Sequence, residues 1–334
     1  MSQHAPAGEI RVIGASDVRR LLPMQDCIEV IDRVMRAVSR GGALLPLRTV
    51  MPLPGGVNMF GVMPGYLDEP AALGAKIVAV YPQNAAQGLS SHNGVIVLLD
   101  TVTGRLSAVI DAAEVTAIRT AAATAVATRA LARADASTLA MLGAGEQAVS
   151  HLEAISLVRP LRRVRVWARS ADKARQFAER EGARLRLNVE GVASAREAVA
   201  GADIVCTVTA SREPILRGDW LAPGMHVNLV GASVPSSREA DDEVVRRGRY
   251  YVDFRASALA QAGELLHALK AGVVDESHIL GEIGNVLSAE VPGRGSDLDI
   301  TLYKSLGIAA QDLASAQFIL ERARAESVGT SVPF

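Results

Sequence analysis

Apolar positions near the start of the chain recur with helical spacing. Within residues 16–40, Ile28, Ile31, Met35 and Val38 form one stripe with charges between them, and Gly41-Gly42 ends the run. Short β-rich runs follow: LRTVMPL, GVNMFGVMP, LGAKIVAVYP and GVIVLLD, each bounded by glycine, proline or asparagine. TVTGRLSAVID predicts a turn at Thr103-Gly104 and one more strand, and an alanine-rich helix is predicted over 113–134. From Thr138 the pattern becomes strand alternating with helix, with strands in TLAMLG, RVRVWA, NVEGVA, DIVCTVT, HVNLVG and YYVDF. Six strands in that rhythm predict an α/β fold built on a parallel, doubly wound sheet. A last amphipathic helix is predicted over 307–325.

The first of those strands runs into Gly143-Ala144-Gly145-Glu146-Gln147-Ala148 and then a helix. This is the G-x-G-x-x-A spacing in the strand–turn–helix context that a dinucleotide requires. Gly143 permits the tight turn, Gly145 lets the backbone approach a pyrophosphate, and Ala148 lets helix and strand pack closely. The second strand ends VWARS. An NAD site usually carries an acidic residue there for the ribose 2′-hydroxyl, whereas this chain has Ala168, Arg169 and Ser170. The pair Arg169 and Ser170 suits a 2′-phosphate, so NADP(H) is favoured and NAD(H) is possible. Arg169 could instead cap the helix that follows.

Composition narrows the function classes. Thirty-five basic and 36 acidic residues give a net charge of -1, with no basic surplus for a nucleic-acid backbone. Two cysteines, Cys27 and Cys206, build neither a disulfide framework nor a cysteine-based zinc site, and no histidine has ligand spacing, so no metal is expected. A soluble protein of the reducing cytoplasm is the simplest reading, because neither long uncharged stretch, 49–67 or 77–99, reads as a membrane helix. Of the 35 basic residues only Lys76, Lys173, Lys270 and Lys304 are lysine. Lys76 lies in an apolar strand, and with Arg48 in LPLRTVM and Arg119 in TAIRTAAA it makes three cations in otherwise uncharged sequence. Converging on one pocket, they would hold a carboxylate. Separately, Lys76 could snorkel from a strand end, and Arg119 could pair with Asp111 or Glu114. His92 in SSHNG is a candidate general acid or a solvated turn residue, His151 and His226 read as structural, and Cys206 reads as core.

GAKIVAVYPQN, TAIRTAAATAVATRAL, MLGAGEQA, LVGASVPSSREAD and ITLYKSLGIAAQDLASA, in that order, resemble the ornithine cyclodeaminase/mu-crystallin family over nearly the whole chain. The resemblance implies a homodimer. It also implies a Rossmann domain, residues 126–301, inserted into an α/β substrate-binding and dimerisation domain of residues 1–125 and 302–334. It assigns Arg48, Lys76 and Arg119 to the substrate carboxylate, with Arg119 also on the cofactor side. Ser91, Glu146, Gln147, Ser233 and Ser237 fall on cofactor positions, and Ser305 and Leu306 lie beside nicotinamide and substrate.

One departure decides the expected chemistry. In ornithine cyclodeaminases of the family the third residue of the GASVP-type loop is an aspartate; here it is Ser233, which cannot be an ionised base. Ketimine reductases resemble this chain in carrying serine. The expectation is therefore NAD(P)H-dependent reduction of a cyclic ketimine acid, Δ1-pyrroline-2-carboxylate or Δ1-piperideine-2-carboxylate, to proline or pipecolate, with Lys76, Arg119 and Ser233 as the catalytic set. The alternatives are ornithine cyclodeamination, open-chain imine reduction of the alanine dehydrogenase kind, and nonenzymatic NADP-linked binding of a small molecule as in mu-crystallin.

Overall fold

The computed structural model describes residues 8–87 and 90–334, in two compact units: residues up to 119 together with 308–334, and residues 120–307. The first unit opens with β1 (Glu9–Ile13), α1 (Ala15–Leu21) and α2 (Met24–Ser39). The single helix expected over 16–40 is thus two. Pro23 has no N–H to continue α1 and disfavours helical geometry at Leu22, then serves as the N-cap of α2. Ile28, Ile31, Met35 and Val38 are all buried, as their spacing predicts.

Strands β2 (Ala43–Leu44), β3 (Thr49–Pro52), β4 (Met59–Leu67), β5 (Ala72–Val80), β6 (His92–Leu99) and β7 (Leu106–Asp111) follow, then α3 (Ala112–Leu131), which begins in the first unit and continues into the second. Each central strand alternates buried and part-exposed positions, the signature of a sheet covered on one face.

The second unit contains β8 (Thr138–Leu142), α4 (Glu146–Val158), β9 (Arg163–Trp167), α5 (Ala171–Leu185), β10 (Val189–Gly191), α6 (Ala195–Val199), β11 (Ile204–Thr207), β12 (His226–Leu229) and α7 (Asp242–Arg247). It continues with β13 (Arg249–Val252), α8 (Arg255–Gln261), α9 (Gly263–Lys270), β14 (Ile279–Glu282), α10 (Ile283–Leu287) and β15 (Thr301–Lys304). Its eight strands lie in the order β10-β9-β8-β11-β12-β15-β13-β14, and every pairing is parallel. The chain order 3-2-1-4-5 across β10 to β12 is that of a Rossmann sheet, with its switch point between β8 and β11. The strands are buried on both faces, and their side chains form apolar clusters on either side of the sheet.

Residues 302–304, expected to return to the first domain, are instead an inner strand of this sheet. β15 pairs with both β12 and β13, so the compact unit ends at Gly307 rather than at 301. Its other boundary falls after Arg119, inside α3, rather than after 125.

The chain then rejoins the first unit as α11 (Ala309–Ala325) and β16 (Thr330–Pro333). The first unit's sheet has the order β16-β1-β7-β6-β5-β4-β2, with β3 also on β4; β1–β7 is parallel and the other pairs are antiparallel. Helix α11 packs on α2 and across β4, β5 and β6. A pair of register-matched glycines permits this close approach: Gly65 on β4 lies opposite Gly74 on β5. A Cβ on Gly65 would sit 3.1 Å from Ala309 Cβ and from Leu313 Cδ1, and one on Gly74 would sit 2.0 Å from the Val97 carbonyl oxygen and 3.2 Å from Leu313 Cδ2. Gly74→Ala is therefore expected to lower stability by about 3 kcal/mol, the upper end of overpacking costs, read as a fall in the urea midpoint at unchanged slope.

Candidate active site

Three cations singled out in the sequence belong to the first unit, and two of them share one buried carboxylate. On β5 the inward positions are Ala72, Gly74 and Lys76. Lys76, only 3% exposed, places Nζ 3.0 Å from Oδ1 and 2.9 Å from Oδ2 of Asp312 on α11, and 3.4 Å from Thr116 Oγ1 on α3. Arg119, 4% exposed on α3, donates from Nε to Asp312 Oδ1 at 2.8 Å and from Nη1 to Gln311 Oε1 at 2.8 Å. Asp312 itself is fully buried.

The uncharged surroundings expected for these cations are therefore corrected. Their counter-ion comes from α11, nearly 200 residues beyond Arg119. The nearer carboxylates are engaged elsewhere: Glu114 pairs with Arg19 at 2.7 Å, and Asp111 accepts from the Glu114 backbone N–H. Nor does Lys76 snorkel to solvent.

Taking three charges out of water costs several kcal/mol per ion, offset only where geometry is good and the remaining donors are satisfied. Here burial pushes the Lys76 ammonium down from 10.5 to about 8. The Arg119 charge adds to that push, Asp312 opposes it, and Arg48 lowers it slightly further. Arg48 is half-buried in the segment leading into β3. Ser91 lies just before β6, its Oγ 2.9 Å from Nδ1 of His92. Partial loss of hydration, then the charges of Lys76 and Arg119, hold the His92 imidazole below the ordinary histidine range.

The second unit gathers the other candidates at the carboxyl ends of its strands, where doubly wound sheets bind ligands. Gly143 ends β8 with φ +127°, a region L side chains avoid, and a Cβ there would meet the Val208 carbonyl oxygen at 3.0 Å. Gly145, the N-cap of α4, has nothing within 4 Å of a Cβ position and, as a glycine, no side chain of its own to cap that helix. Glu146 and Gln147 form the first turn. Arg169 and Ser170 follow β9; both are exposed, and the Ser170 side chain accepts from the Lys173 N–H as the N-cap of α5. Ser170 thus takes the capping role considered for Arg169. Ser233 and Ser237 lie on the loop after β12, and Ser305 and Leu306 on the turn after β15.

Two buried polar atoms at this edge, Gln147 Oε1 and Ser305 Oγ, have no hydrogen-bond partner among the described residues. Open space at Gly145, a helix N-terminus with a glycine N-cap and two orphaned polar atoms fit a dinucleotide, whose pyrophosphate would sit on the α4 N-terminus.

Residues 9–327 match the model of the ornithine cyclodeaminase/mu-crystallin family. The chain belongs to that family. It is 38% identical over 281 residues to the ketimine reductase mu-crystallin of Mus musculus, covering 84% of this chain and 86% of the relative. The Δ1-pyrroline-2-carboxylate reductase of Thermococcus litoralis, solved with NADH and L-proline, superposes with a TM-score of 0.94 at 36% identity, over 97% of this chain and 100% of that one. An archaeal alanine dehydrogenase dimer with bound NAD superposes with a TM-score of 0.92 at 28% identity, over 98% of this chain and 99% of that one.

Sequence reasoning missed the acidic residues that hold these turns in place. Glu239 is fully buried and accepts from Thr207 Oγ1 at 2.7 Å, Thr209 N–H at 2.6 Å, Thr209 Oγ1 at 2.7 Å and Gly231 N–H at 2.7 Å. It joins the ends of β11 and β12 and thereby anchors the loop carrying Ser233. Glu264 accepts from the Glu239 N–H and pairs at 2.9 Å with Lys304, which also donates to the Ala232 carbonyl. Asp253 Oδ2 accepts from the N–H groups of Leu306 and Gly307, both at 2.7 Å, and so pins the Ser305-Leu306 turn.

Asp312 had a visible signal, since it is the one charge in the uncharged run from Ser305 to Ile319. Glu239 had none, standing among the ordinary surface letters of SSREAD. Glu239→Gln keeps the size but leaves an amide N–H₂ facing two of the four donors, so a stability loss of about 2–3 kcal/mol is expected from thermal unfolding.

Proposed function

We propose that this protein is an NAD(P)H-dependent reductase of a cyclic ketimine acid, converting Δ1-pyrroline-2-carboxylate or Δ1-piperideine-2-carboxylate to the corresponding L-amino acid. The observation that carries the reading is the buried Lys76–Asp312–Arg119 cluster with Arg48 at its edge. One carboxylate is shared by the two buried cations Lys76 and Arg119, a surplus of positive charge that suits a substrate carboxylate. The ketimine and pyrroline-2-carboxylate reductases among its relatives support the same chemistry.

In this reading Lys76, Arg119 and Arg48 orient the substrate, and Ser305 and Leu306 line the nicotinamide side. A nicotinamide, when bound, supplies the hydride. Rate comes chiefly from positioning, since the accepting carbon must lie within about 3–3.5 Å of the hydride source. The imine nitrogen takes its proton from water held near Ser233 or Ser91. Ser233 has no charge with which to act as the base that loss of ammonia from ornithine would need, which favours reduction over cyclodeamination.

NADPH is the proposed preferred donor, because β9 is followed by Arg169 and no carboxylate. A homodimer is proposed from the dimeric relative and from an apolar surface at the end of the first unit's sheet, where Leu44, Leu47, Val50, Met51 and Val57 are exposed.

Oxidation of NADPH and NADH should be followed with five- and six-membered cyclic imine acids, with pyruvate plus ammonia as the open-chain arm. Turnover on a cyclic imine is the expected result, and its absence on every imine would sink the proposal. Lys76→Met is expected to cut kcat/KM about a hundredfold, the loss of one charge-assisted contact of about 2.7 kcal/mol. Lys76 loses its proton as pH rises through about 8, so kcat/KM should be level below that pH and fall above it. Lys76→Arg should carry the falling limb to higher pH. Arg169→Ala should raise KM for NADPH about tenfold more than KM for NADH.

A further inference from the structure

Asp312 is the feature that the proposed reaction leaves without a role. It is fully buried on α11, bonded to both Lys76 and Arg119, and points no free oxygen at solvent. A carboxylate beside an anion-binding pair is at first sight counterproductive, because it competes with the incoming substrate for the same two cations.

The charges facing Lys76 explain why it is there. α3 contributes Arg119, the segment before β3 contributes Arg48, and β6 contributes His92, which is near both cations. The Cys27 thiol on α2, pushed up to about 12 by burial, stays neutral, and β4 places Met63 opposite Lys76 in register. Of the charges acting on Lys76 among the described residues, Asp312 supplies the negative one and Arg119 and Arg48 the positive ones. A buried ammonium under the influence of guanidinium groups is pushed toward losing its proton unless a negative charge holds it. A neutral amine in that position would bind no carboxylate.

We propose that Asp312 is the positioning residue of the clamp: it keeps Lys76 an ammonium at neutral pH and fixes Arg119 beside it, so that both face the substrate carboxylate as one charged unit. Gln311, accepting from Arg119 Nη1, completes the hold on the guanidinium. The proposal rests on reading the clamp as the carboxylate site, and its test is read without substrate.

The chain has only four lysines, so lysine labelled with 13C at Cε yields four resonances, assignable by Lys→Arg variants. In the full-length protein Lys76 is expected to titrate near pH 8. In Asp312→Asn its midpoint should fall by about one unit or more. In Arg119→Gln, with the competing cation gone and Asp312 retained, it should rise. The two variants are opposed in direction, so loss of folding in one leaves the other decisive. In turnover, the Asp312→Asn falling limb of kcat/KM should shift to lower pH by the same amount, with KM rising more than kcat falls. Adding Lys76→Arg, which stays charged, should restore the pH-independent part of that loss. A Lys76 midpoint unmoved in Asp312→Asn, or unmoved in Arg119→Gln, overturns the role of Asp312. Failure of the imine assay with both shifts present overturns the reductase reading instead.

Discussion

The first unit is organised around one shared counter-ion. Lys76 and Arg119 stand on different elements, a strand and a helix, and both reach the same carboxylate at about 3 Å. Neither cation could be kept dry in this position alone, because the cost of burying an unpaired charge exceeds what packing returns. Asp312 makes the burial possible, although burial and the Arg119 charge outweigh it and leave the Lys76 ammonium depressed. In the proposed reaction a substrate carboxylate would complete the compensation that one counter-ion leaves partial.

That counter-ion depends in turn on a steric condition. Helix α11 lies close on β4 and β5 because Gly65 and Gly74 face each other with no Cβ between them and Leu313. Leu313 is the neighbour of Asp312, so the contact that seats the helix also sets the reach of the carboxylate. The acidic partner enters from the far end of the chain, after the whole second unit has intervened. Sequence distance and chemical proximity are unrelated here, which is why the first unit cannot be completed by the N-terminal segment on its own.

The second unit solves a related problem in a different way. Its carboxyl edge must present flexible-looking turns at fixed positions, and it does so with buried acids: Glu239 across β11 and β12, and Asp253 on the turn after β15. Each accepts several N–H or O–H donors that would otherwise be left unpaired, so the loops are defined by satisfied hydrogen bonds instead of by their own propensity. Lys304 and Glu264 extend this network to the backbone beneath Ser233. The two buried lysines of the chain thus share one design, an ammonium in an apolar strand held by a carboxylate from a helix.

By itself the sequence determined the period of its elements and the glycine turn. Alternation and 3.6-residue spacing are local properties, so the parallel sheet, the α4 N-terminus and the buried stripe of α2 could be read directly, as could Lys76 as a lysine out of place in an apolar strand. Local reading failed where structure is made by distant partners. Pro23 split a helix that periodicity had joined. β15 could not be assigned to its sheet because its neighbours β12 and β13 are set by topology. The acids Asp312, Glu239, Glu264 and Asp253 were passed over because a carboxylate looks the same in sequence whether it is solvated or buried. Only the tertiary structure decided which charges meet, since pairing energy depends on the distance and burial reached after the chain has closed on itself.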